Sequence, residues 1–192
     1  FELSCEVADY VKFSSEFMGK GMVAHDWTLS PAYSDEAPFT ASMAGVRFAA
    51  TEDLLNDAQE VCMQNFRVSI AKNVTDIQCF GSTDVTGLYN QQFTVEWDFE
   101  ALYSDTVLRD YVLNTEKKAV RFYAVNTNVS ALATDIYPSI YVDIMKAWFT
   151  EWSKQDWAND LIKQTLGFSW QYDNETWASI EVLLINDKST TY

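Results

Sequence analysis

From Phe93 to Glu100 the chain alternates without a break: Phe93, Val95, Trp97 and Phe99 are apolar, while Thr94, Glu96, Asp98 and Glu100 are polar. Successive side chains of a strand point to opposite faces. This period of two therefore predicts a half-buried strand, with the four apolar residues inward and the acids in water. Leu108–Leu113, the polar run 114–118 and Ala119–Val125 predict a hairpin beside it. The middle of the chain thus reads as an antiparallel meander with one wet face.

Elsewhere the pattern fits the helical period. Val7, Tyr10, Val11, Phe17 and Met18 approximate a stripe, with Ser4 as N-cap and Gly19 and Gly21 as stop signals. Thr51 caps a helix predicted over Glu52–Phe66, where Leu54, Ala58, Val61 and Cys62 share a face. A third helix is predicted over Ile136–Trp152, on the spacing of Ile140, Ile144, Ala147 and Trp148. Ser153 and Asp156 have the capping-box spacing and open a fourth, Asp156–Leu166, that Gly167 closes. Residues 25–45 hold two prolines and read as a long irregular loop. Phe168, Trp170 and Tyr172 alternate, and the run from Trp177 to Ile185 returns as a final hairpin. Together these elements predict one α+β domain over residues 1–192: a curved antiparallel β-sheet, meander plus C-terminal hairpin, with helices packed on one face.

Composition changes this picture little. An apolar fraction of 48% and an aromatic fraction of 15% provide for a sizeable core. There is no apolar run of membrane-spanning length. The net charge of −15 matters more, because it sets the chain against polyanions and predicts no nucleic-acid partner.

Three sequons, at Asn73, Asn128 and Asn174, each fall where the pattern turns and predict a secreted or lumenal glycoprotein. The chain opens at Phe1 without a Met or a basic segment, which fits a leader already removed. An oxidising compartment makes a disulfide expected, and three cysteines leave one thiol over. The expected pair is Cys62–Cys79, tying the 52–66 helix to the next strand. Cys5, near the terminus, is then left to reach a partner chain.

Catalytic signals are sparse. His25 is the one histidine; with Asp26 beside it, it is the weak candidate for a general base, although adjacent side chains point apart unless the backbone turns sharply. One His and three dispersed Cys do not make a zinc site, and no phosphate loop or nucleophile elbow is present. No cofactor and no metal are expected. Glu96, Asp98 and Glu100 stand about 7 Å apart along one strand face, a spacing that suits a glycosidase pair or a calcium site but more readily a solvated sheet face. Aromatics are the remaining signal: Trp97, Trp148, Trp170 and Trp177, with helices over a concave sheet, are the candidates to line an apolar cavity.

No motif selects a known family. The first reading is a non-enzymatic secreted glycoprotein, extracellular or in the secretory lumen, that binds a small apolar ligand in an aromatic-lined cavity. The alternative is a subunit of an extracellular protein assembly, joined through Cys5 or an aromatic surface. A cavity enzyme using His25 and Asp26 is third.

Overall fold

The computed structural model describes residues 1–17, 37–81, 87–103, 106–134, 136–155, 162–170 and 178–186. It is an almost all-β molecule. The strands are β1 (Glu2–Glu6), β2 (Lys12–Ser14), β3 (Ala44–Ala49), β4 (Glu60–Val61), β5 (Met63–Ile77), β6 (Gly87–Leu102), β7 (Lys117–Val125), β8 (Ser139–Gln155), β9 (Lys163–Trp170) and β10 (Ile180–Ile185). Among the described residues the one α-helix is α1 (Val107–Leu113), and two short 3-10 turns lie at Ala41–Met43 and Glu52–Leu54.

The strands form one sheet in the order β2-β1-β5-β6-β9-β8-β7-β3-β4, with β10 on the free flank of β8. Each pairing is antiparallel. The sheet curls until it nearly closes. β4 pairs with β3 through Val46 and Val61, then runs on through Cys62 into β5. The core is where the inner faces meet. Phe66 of β5 stacks on Phe122 of β7 at 4.4 Å, although three strands separate them along the sheet. Phe48 of β3 meets Phe99 of β6 at 5.5 Å and Phe149 of β8 at 5.8 Å.

The alternation of Phe93–Glu100 is the alternation of burial. Val95, Trp97 and Phe99 are buried and Phe93 is half-buried, whereas Glu96 and Asp98 are exposed. Trp97, only 4% exposed, sits edge-on to Phe66 at 5.4 Å and against Phe168 at 5.5 Å. Its indole N–H finds no acceptor among the described residues.

The α+β expectation is overturned, because helix was expected where strands stand. Ile136–Trp152 is mostly β8: Val142, Asp143, Ile144 and Met145 are all buried, so both faces are covered and no period of two shows in the sequence. Glu52–Phe66 is a 3-10 turn followed by β4 and the start of β5, and Leu55 rather than Leu54 is buried. Val7–Phe17 contains a turn and the short β2 in place of a helix, and Met18, Gly19 and Gly21 lie outside the described residues. Asp156–Leu166 runs partly outside the described residues, and its end is β9. Conversely, Leu108–Leu113 is the helix α1, because Leu108, Tyr111 and Val112 share one helical face against the core. The final hairpin is not found among the described residues, where β9 and β10 each pair with β8 and not with one another; Tyr172 and Trp177 lie outside them.

Candidate assembly interface

The hairpin β5–β6 is far longer than the sheet that holds it. β1 flanks β5 only at Asn65–Ser69, and β9 flanks β6 only at Trp97–Leu102. Beyond Ile70 and before Trp97, the two strands pair only with each other among the described residues, out to Ile77 opposite Gly87. Seven further residues of strand carry this arm about 24 Å past the barrel at 3.4 Å per residue. Among the described residues no third strand flanks either edge of it. Side chains on it are apolar yet exposed: Ile77, Leu88 and Tyr89, with Phe80 at the tip 111% exposed. Gly81 follows with φ +86, the left-handed conformation a turn needs there.

Two further surfaces share this character. Strand β10 pairs with β8 on one side and exposes three consecutive apolar residues, Val182, Leu183 and Leu184. Near the N-terminus Phe13 is exposed on β2, the strand at one end of the sheet path. A monomer that exposes unpaired strands bearing apolar side chains has a ready template for pairing with another chain.

The outer face of the barrel is polar and tied down. Arg121 Nε and Nη2 donate to the two carboxylate oxygens of buried Asp143 at 2.7 and 2.6 Å, and Nη1 donates to Asn56. Arg47 donates to Glu60 at 3.0 Å, and the Tyr123 hydroxyl donates to the same carboxylate. These bonds hold the Glu60 carboxyl below the usual carboxylate range, Tyr123 more than Arg47. Burial, then the Glu60 contact, pushes the Tyr123 phenol up. Tyr123 lies flat over Gly45, where a Cβ would stand 2.6 Å from its hydroxyl, so a larger residue has no room. Arg67–Glu2 at 2.9 Å and Lys163–Glu100 at 2.8 Å cross neighbouring strands in the same manner.

A cleft of about 480 Å³ opens between α1 and the ends of β8 and β9, lined by residues that include Arg109, Val112, Leu113, Trp152, Ser153 and Gly167. It is not the expected aromatic cavity. Trp97 belongs to the solid core, Trp148 is 37% exposed on β8, and Trp170 is half-buried, edge-on to Phe93 at 5.5 Å. These three do not converge, and Trp177 lies outside the described residues.

The other anticipated residues scatter as well. His25, Asp26 and Asn174 lie outside the described residues. Asn73 and Asn128 are exposed, on β5 and after β7. All three cysteines are free thiols, so the Cys62–Cys79 bond is not formed in this structure. Cys5 is buried, 8% exposed, opposite Phe66, and burial raises its thiol pKa, so it is not the exposed thiol expected to meet a partner. Cys62 and Cys79 are the exposed pair. No described group of His, Cys, Asp and Glu is placed to hold a metal, and no described helix is long and apolar enough to cross a membrane. Sequence reasoning missed the arm, for which the signal was the length of the β-rich run from Met63 to Leu102.

Residues 1–169 match the family described as "Phage tail tube protein". Comparison with curated proteins finds no match. Among solved structures, the fold is similar to a chain of the anti-feeding prophage baseplate, with TM-score 0.53 and 15% identity over 84% of this chain and 99% of that one. It is also similar to the sheath/tube terminator of the extracellular contractile injection system PVC, with TM-score 0.54 and 12% identity over 80% and 100%. The tube-terminating cap of the anti-feeding prophage gives TM-score 0.55 and 7% identity over 81% and 97%. At such identities the likeness is one of fold.

Proposed function

The chain belongs to the phage tail tube protein family, and on that premise we propose that it is a structural subunit that joins further copies of itself in the tube of a tail-like particle released from the cell. The observation that carries this reading is the arm of β5 and β6. A two-stranded ribbon is marginally stable on its own in water. This one carries exposed apolar side chains, and no third strand flanks it among the described residues, a combination soluble monomers avoid. Such an arm is suited to being completed by a neighbour: backbone groups supply affinity, and alternate side chains supply register. The polar ion-paired barrel face and the buried core keep each subunit folded while its edges are shared.

This reading replaces the small-ligand one, since the aromatic residues expected around a ligand are core or surface. The expectations of glycan and of the secretory lumen lose their support with it, because membership of a phage-tail family favours a particle released to the outside. Assembly rests on strand edges and apolar contacts, with no role for Cys5.

The test is direct. Purified full-length protein, concentrated and viewed by negative-stain electron microscopy, is expected to form rings or tubes of uniform diameter. Protein that stays monomeric by analytical ultracentrifugation at every concentration reached, and forms no particles, would overturn the proposal.

A further inference from the structure

We infer that β10 is a charge-gated strap: it lies loosely on β8 at neutral pH, tightens there in mild acid, and bares the Ser139–Ile144 edge of β8 when it lifts. This is a property of the single chain, independent of the tube reading. The connection lets β10 move alone. Trp170, the last residue of β9, pairs with Ala147, and Ile180, the first of β10, pairs with Ile144. Since β7 holds the other flank of β8 there, β9 and β10 follow one line along the same flank. Three steps of β8, about 10 Å, separate those partners, whereas the link through residues 171–179 has a reach of about 33 Å. β10 can lift without disturbing β9. Burial does little to stop it: Val182, Leu183 and Leu184 are about half exposed, and Ile180 is the β10 residue that packs against the core. What holds β10 is its backbone pairing to β8.

Charge acts against that pairing. Across β4, β3, β7, β8 and β10 the register lines up Glu60, Arg47, Arg121, Asp143 and Glu181. Arg47 answers Glu60 at 3.0 Å, and Arg121 holds both oxygens of Asp143. Glu181, exposed at the end of the row, faces a carboxylate in place of a base. Around Arg121 the neutral members are Asn56, which accepts from it, and Tyr141, whose ring centre lies 5.4 Å from the guanidinium carbon. The 3-10 turn Glu52–Leu54 adds two more acids, Glu52 and Asp53. Burial first, then Glu181 and Asp143, pushes the Glu52 carboxyl above the usual carboxylate range; Asp53 adds to the push and Arg121 opposes it. Three carboxylates, those of Glu52, Asp143 and Glu181, thus crowd one guanidinium. Like charges on facing strands weaken the pair. Lifting β10 takes Glu181 away, and protonating Glu52 relieves the same repulsion with the strand in place. A carboxyl whose pKa is higher with β10 down binds its proton more tightly in that state, so acid favours the strap down.

Hydrogen exchange of the dilute full-length protein reads the strap, followed by mass spectrometry at about pH 7.5 and about pH 4.5, on either side of the titration of a raised carboxyl. After correction for intrinsic rates, peptides covering 180–185 should open about threefold to fivefold less in acid, the worth of a like-charge pair across two strands. Peptides covering 163–170, on β9, should stay level and serve as the check that the barrel is intact. Glu181→Gln should give β10 the acid-like protection already at neutral pH. Glu181→Lys should invert the trend, because its ammonium gains Glu52 as a partner that acid then neutralises. Equal opening of β10 at both pH values, or a Glu181→Lys strap that still tightens in acid, would overturn the charge-gated strap. The measurement needs no assembly, so a chain that never builds tubes defeats the tube reading and leaves the strap standing.

Discussion

The two halves of the β5–β6 hairpin are the same pair of strands in different surroundings. In the barrel half, Phe66, Val68, Val95, Trp97 and Phe99 are buried, because β1 and β9 flank the pair and β7 and β3 pack across it. In the arm, Tyr89 is 62% exposed and Ile77 and Leu88 are exposed with it. Strand formation is therefore not the same as strand burial. The barrel half draws its stability from its own chain, and the arm leaves part of its apolar surface exposed.

The largest expected effect tests that contrast within one ladder. Trp97→Ala empties a core site and should cost about 3–5 kcal/mol. Tyr89→Ala removes a ring of similar size from the arm and should change monomer stability by within about 0.5 kcal/mol. Chemical denaturation of the two variants, read by tryptophan or tyrosine fluorescence, checks both. Comparable losses would mean the arm is packed in the monomer, and the distinction between the halves would fall.

Legibility in the sequence follows the same line. Phe93–Glu100 was readable because one face is buried and the other wet, which writes a period of two into the residues. β8 was misread as a helix because its middle is covered on both faces. Ile140, Ile144, Ala147 and Trp148 then fit spacings of three and four by accident of an unbroken apolar run. The helix α1 was misread as a strand partly because its stop signal is unusual. Its end has the Schellman bonds, Glu116 N–H to Tyr111 O and Thr115 N–H to Val112 O, but Thr115 rather than Gly takes the left-handed position at φ +55. The candidate interface was legible only as excess aromatic content. Nothing in a run such as 70–77 tells whether its neighbour is another strand of the same chain or of the next copy.

A middle-sized effect concerns the outer face of the barrel, which is polar but not idle. Asp143→Ala would strand the Arg121 guanidinium among buried neighbours without its bidentate partner. Removing one member of such a pair costs more than the pair contributes, and the expected loss is about 3 kcal/mol. Thermal unfolding checks it, with Asp143→Asn retaining one acceptor and losing less. A loss as small as that of an arm substitution would mean the stability of the barrel comes from its inner face alone.

The smallest effect concerns the seam where the barrel closes. Glu60 lies on β4, the two-residue strand that joins β3 to the start of β5, and accepts hydrogen bonds from Tyr123 and Arg47. Its carboxyl is held below its usual range, first by Tyr123 and then by Arg47. A group whose pKa is lower in the folded state contributes stability above its unfolded pKa, and that contribution disappears as pH falls through the folded value. The seam should therefore hold at neutral pH and loosen in acid, below the ordinary carboxylate range. Because the Glu60 side chain is more than half exposed, solvent screens the pair and the effect should stay under about 1 kcal/mol. Glu60→Gln should lower stability slightly at pH 7 and match the parent in strong acid, where the parent has lost the same charge. Melting curves from pH 7 down to acid read the difference directly. A gap between parent and Glu60→Gln that widens on acidification has the opposite sign, and would show that this carboxylate is not what holds the seam.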